Sequence, residues 1–136
     1  MKKGDVVKEK KYTVCVDFDG VLHSYTTPWI NAHTIPDPPV AGAILWLITM
    51  LAKFEVVIFS TRCKTWRGRR AIRRWLYEHG GGAFFECVGA RGLEDITLAK
   101  TKPAALIYLD DRAVRFTGPE SWPTVDQIHK AKPWNK

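Results

Sequence analysis

Cysteine is scarce: the 136 residues contain three, Cys15, Cys63 and Cys87. The number is odd and the spacings are not those of metal ligands. Neither a disulfide framework nor a structural zinc site is expected, and reduced thiols point to a cytoplasmic chain. Long apolar runs are missing as well. The longest nearly unbroken one, residues 40–52, falls short of the roughly 20 residues that a membrane-spanning helix needs. The opening Met1-Lys2-Lys3-Gly4-Asp5 has no apolar segment of the kind a signal peptide carries. Membrane insertion and export are therefore not expected. Repeats and low-complexity tracts are absent. Acidic residues are in deficit, 14 against 21 basic ones, for a net charge of +7. The excess suggests an anionic partner such as a nucleotide, a nucleic acid or an acidic surface; the plainer alternative is a charge tuned for solubility.

What remains fits one domain over 1–136, near the usual domain size. A hydrophobic fraction of 46% supports a packed core, and six Trp place large aromatics in that core or at an interface. Residues 1–11 read as a charged leader and 117–136 as a tail. Tyr12–Val16 reads as a strand. Residues 21–39 contain four prolines, show no helical period and read as an extended flap. A helix over Val40–Lys53 follows, with Ile44, Leu47, Ile48 and Leu51 on one face. Its other face carries Trp46 and Met50. Either this helix is covered on both sides, or that face is a contact patch for a second copy or another partner.

Phe54–Phe59 is the second expected strand. A helix from Trp66 to His79 comes next, stopped by Gly80-Gly81-Gly82. Its Ile72, Trp75 and Leu76 face inward, with Arg67, Arg70 and Arg74 outside. Phe84–Val88 is expected as a third strand, and residues 89–102 are ambiguous. Ala105–Leu109 is a fourth strand, Ala113–Phe116 an edge strand, and Val125–Lys130 a short helix. Strands alternating with helices argue for an α/β fold around a parallel sheet. Parallel strands place their C-terminal ends on one side, which gathers Asp17 and Asp19, Ser60-Thr61-Arg62, and Asp110 and Asp111 at one edge.

Four converging carboxylates raise one another's pKa or recruit a cation. An oxygen-rich set of few ligands suits Mg²⁺ completed by a substrate phosphate. Ser60, Arg62, Lys64 and Arg67 supply donors for a phosphoryl group. The following helix aims its N-terminus at the same edge, where anions are favoured. Arginines in its first turns would otherwise oppose the helix dipole. His23 and His33, in the flap, read as solvent-exposed, with contact to a substrate as the alternative. Cys63 reads either as a free thiol without a role or as one activated by Arg62, and Cys15 as core.

Asp17-Phe18-Asp19-Gly20 after a hydrophobic strand, Ser60 after the next, a Lys before the last and Asp110-Asp111 behind it resemble the haloacid dehalogenase superfamily over roughly residues 12–116. The resemblance implies a Rossmannoid three-layer fold with a central, mostly parallel sheet. It implies Asp17 as a nucleophile that forms an aspartyl-phosphate and Asp19 as general acid and base. Ser60 and Lys102 would hold the phosphate, with Lys100, Arg91 or Lys64 as alternatives to Lys102. Mg²⁺ would be bound by Asp17, Asp110, Asp19 through its main-chain carbonyl, and by Asp111 if both acids take part. Gly20, Thr61, Arg62, Lys64 and Arg67 would line the substrate. An acid at position 19 is similar to phosphatases rather than to dehalogenases, which lack it, or transport ATPases, which carry Thr. The short linkers after Gly20 and Val88 leave no room for a large cap domain. The expectation is a capless, Mg²⁺-dependent phosphomonoesterase acting on a phosphorylated substrate, with basic helix residues tilting it toward a nucleotide or a nucleic-acid end. The rival is a nucleic-acid-binding or partner-docking module with little turnover.

Overall fold

In the computed structural model of the protein, residues 12–87 and 92–136 are described. In chain order the elements are β1 (Thr13–Val16), α1 (Ala43–Leu51), β2 (Glu55–Phe59), α2 (Trp66–Cys87), β3 (Thr97–Ala99), β4 (Ile107–Leu109) and α3 (Val125–Lys130). The strands form one all-parallel sheet in the order β3-β2-β1-β4. β1 lies between β2 and β4, and its Val14, Cys15 and Val16 are all buried, as in a strand covered on both faces.

Val16, Val56 and Ile58 lie on one sheet face and pack with Phe18, Leu47, Leu51, Ile72 and Leu76 into a single core. α1 and α2 thus pack on the same face of the sheet. On the other face the Tyr108 hydroxyl donates to the Pro103 carbonyl, and the Lys102 ammonium sits 4.4 Å from the Tyr108 ring centroid. α1 has no side-chain cap and no acid in its first turn. A cap contributes about 1 kcal/mol, while each fully buried aliphatic side chain contributes about 1.5–3 kcal/mol. Packing of Leu47, Ile48 and Leu51 therefore holds this helix. Trp46 and Met50 are packed against the same core, and the exposed apolar residue of α1 is Leu45.

Several sequence expectations change. α2 continues through Gly80–Gly82 to Cys87, so Phe84–Cys87 is helix and not strand. Gly80 is buried and prolongs the inward face of Ile72, Trp75 and Leu76, so packing overrides a weak local propensity. The third strand is instead Thr97–Ala99, paired through Val57↔Thr97 and Ile58↔Leu98. Residues 113–116 form no strand. The flap is anchored by bridges Asp19↔His23 and His23↔Pro39. α3 lies where expected, closed by a capping box between Thr124 and Gln127. The leader at 1–11, Val88 and Arg91 lie outside the described residues. Among the described residues no helix is long and apolar enough to cross a membrane.

Candidate functional site

β1 ends by handing its next backbone N–H, that of Asp17, to the Leu109 carbonyl at 2.9 Å. The ends of β1 and β4 are thereby side by side. Phe18 plugs the core, and its carbonyl receives the N–H groups of Leu22 and His23, folding the chain into a tight loop. Gly20 turns that loop at φ +80°, and a Cβ there would collide with the Asp111 carboxylate. Close approach and a left-handed backbone both require glycine at this position.

Asp17, Asp110 and Asp111 each present an oxygen such that the three lie within 4.8 Å of one another. Burial, and then the charges of Asp110, Asp111 and Asp19, push the Asp17 carboxyl up from 3.8 to about 7, against a lowering hydrogen bond from the Phe18 N–H. Asp111 Oδ1 is buried without a hydrogen-bond partner. Asp110 Oδ1 accepts the Arg112 N–H at 2.7 Å. These acids share a cleft of about 380 Å³ with Asp19, Ser60 and Thr61. Ser60 is buried at the end of β2, where its Oγ accepts the Arg62 N–H at 3.3 Å and caps the 3-10 turn at Thr61–Lys64.

The Asp19 carboxylate lines the same cleft but is not one of the three grouped acids. Arg62 Nε lies 3.0 and 2.9 Å from its two oxygens, and His23 Nδ1 lies 2.8 Å from Oδ1. Arg62 Nη1 also donates to the carbonyls of Asn31, Ala32 and Thr34. The guanidinium is 1% exposed and covered by the Trp29 ring at 4.5 Å. Arg62 thus ties the flap to Asp19, and its described partners already take up Nε and Nη1. His23 is fully buried rather than solvent-exposed, stacked on Phe18 and edge-on to Trp75. Its Nε2 accepts the Asp37 N–H at 3.1 Å, which leaves the ring proton on Nδ1, facing Asp19. Asp37 is held below the usual carboxylate range: burial raises it, and hydrogen bonds from Thr27 and Thr26 with the nearby His23 outweigh that.

The remaining expected residues are dispersed. Lys102 lies on Tyr108 and Lys64 is exposed in the 3-10 turn. Arg67 lines a separate cleft of about 340 Å³ on α2. The side chain that brings positive charge to the acidic cleft is Arg112. Cys63 is fully buried, and burial pushes its thiol up, the direction opposite to activation. Tyr25 and Trp29 from the flap also line the acidic cleft, as no periodic signal could have shown. The tail joins in too: Trp134 Nε1 donates to the Gly20 carbonyl at 2.7 Å, and Asn135 Nδ2 to the Ser24 carbonyl at 2.8 Å.

The chain matches no family model, no curated protein and no solved structure.

Proposed function

We propose that the protein is a divalent-cation-dependent phosphomonoesterase of haloacid-dehalogenase type, acting through an aspartyl-phosphate on Asp17. The observation that carries this reading is the meeting of Asp17, Asp110 and Asp111 at the ends of two adjacent parallel strands, in one cleft with Asp19 and Ser60. Acidic groups gather on many surfaces without an ion. Here the unpartnered Asp111 Oδ1 and the raised Asp17 carboxyl mark concentrated negative charge, with Arg112 the cationic side chain among the described residues that line the cleft. A hard cation that takes oxygen ligands, such as Mg²⁺, fits Asp17, Asp110 and Asp111. When bound it would neutralise charge on a phosphoryl group and keep Asp17 ionised.

The chain's own residues then divide the chemistry. An Asp17 oxygen attacks phosphorus and the ester P–O bond breaks. Asp19 gives its proton to the departing alkoxide oxygen. Water next attacks the phosphorus of the acyl phosphate, its proton passes to Asp19, and Asp17 is released with inorganic phosphate. Arg62 and His23 fix the Asp19 carboxyl in place for both transfers. Ser60 and Arg112 are the donors nearest to hand for phosphate oxygens. The open cleft, without a cap among the described residues, suits a large phosphorylated substrate, and the basic α2 favours a nucleotide or a nucleic-acid end.

The test is hydrolysis of an aryl phosphate with Mg²⁺ and with a chelator. Wild type should turn over only with the cation, and Asp17→Asn should lose activity by about 10⁴-fold or more. Activity that survives this substitution would refute the mechanism. Mg²⁺ binding without hydrolysis of any phosphate ester would favour the rival, a binding module in which Asp19 is permanently engaged by Arg62.

A further inference from the structure

α2 carries five arginines between positions 67 and 74. Two are tied into the fold. Arg69 Nη1 donates to the Cys63 carbonyl at 2.7 Å, and Arg73 Nη2 to the Ile96 carbonyl at 2.6 Å. Arg67, Arg70 and Arg74 differ: among the described residues they make no hydrogen bond or ion pair. Their spacing of three and four aligns them in one stripe along the helix. No acid stands in the first turn of α2 to offset them, and cations there oppose the helix dipole. Among the described residues no acid pairs with them.

The stripe is one wall of the second cleft, about 340 Å³ in volume, with Trp66 beside it and His33 of the flap opposite. Trp66 is 62% exposed at the first position of α2. An exposed indole at the end of a row of unpaired guanidiniums combines a stacking surface with phosphate donors, the two elements of single-strand recognition. A duplex hides its base faces and would use only the charge. The flap links this cleft to the acidic one. Trp29 lines the first and His33 the second, and four residues of chain span at most about 14 Å. Arg62 holds the intervening carbonyls of Asn31 and Ala32 in place.

We propose that the Trp66–Arg67–Arg70–Arg74 cleft binds single-stranded nucleic acid, with phosphates on the arginines and a base on the Trp66 ring. The strand continues over the flap and delivers its phosphorylated end to Asp17. This last clause rests on the phosphomonoesterase reading; the binding cleft itself does not.

The experiment reads binding rather than turnover. A fluorescent single strand of about 12 nucleotides, within the range of known single-strand sites, is titrated by anisotropy against Asp17→Asn protein at several salt concentrations. Arg70→Glu/Arg74→Glu in that background should weaken binding about 10-fold or more. It should also lower the salt slope by at least about 1.4, from about 0.7 per phosphate neutralised. Trp66→Ala should weaken binding about 5-fold or more and leave the slope unchanged. These side chains are exposed, so the fold should be retained, with circular dichroism as the check. Affinity unchanged in the double variant would overturn the proposal. So would a duplex or polyglutamate bound as tightly as the single strand, since that would make the cleft a general polyanion site. A protein inactive on aryl phosphates but binding the strand as described would refute only the phosphatase reading.

Discussion

Arg62 grips Asp19 from 43 positions away, its Nε at 3.0 and 2.9 Å from the two carboxylate oxygens. The same side chain holds three flap carbonyls through Nη1. One buried cation therefore links the candidate acid–base to the wall of its cleft. Arg62→Ala should destabilise the protein by about 3–5 kcal/mol, the effect of removing one partner of a buried pair. Urea denaturation measures it, and a loss below about 1 kcal/mol would show that the pair is not the anchor described.

The raised Asp17 carboxyl sets a pH dependence. A carboxyl whose folded pKa exceeds its unfolded value adds stability below the unfolded value and loses it as pH rises through the folded one. Cation-free protein should therefore lose stability between the ordinary 3.8 and about 7, and Asp17→Asn should lack this component. Saturating Mg²⁺ should restore most of the loss near neutral pH, because it offsets the charges that raise Asp17. Melting curves of both proteins across that window, with and without Mg²⁺, check this. Parallel profiles for the two proteins would contradict it.

Gly20→Ala should disturb the acid cluster without touching an acid. The new Cβ meets the Asp111 carboxylate, and φ +80° suits glycine. The left-handed backbone alone costs an alanine about 1–2 kcal/mol. Calorimetric Mg²⁺ titration should show affinity falling together with the melting temperature. Unchanged Mg²⁺ affinity would separate Asp111 from the cation site.

Removal of residues 133–136 takes away the Trp134 and Asn135 hydrogen bonds to the loop behind Asp19. Each such bond contributes roughly 1 kcal/mol. Amide exchange should quicken at Gly20–Tyr25 and stay slow in β1 and β2. Uniform protection across the loop would mean that the tail does not steady it.

Tyr12–Val16 and Phe54–Phe59 were legible as strands because their branched and aromatic residues suit a buried sheet, and Val125–Lys130 was legible as a short helix. Strand–helix alternation called for parallel strands, and parallel strands put Asp17, Asp110 and Asp111 at one edge. By itself the sequence determined those elements, which depend on residues a few positions apart, and their parallel direction; that β1 and β4 are neighbours, with Asp17 beside Asp110 and Asp111, the tertiary structure decided. The tertiary structure decided the rest. Gly80–Gly82 does not end α2, because Gly80 lies against the core. Thr97–Ala99 becomes the third strand because it meets the open edge of β2. His23 is buried and Arg62 is drawn into Asp19 and the flap, through partners 14 to 43 positions away. Such pairings leave no period in the sequence, because chain folding alone brings the partners within hydrogen-bonding distance.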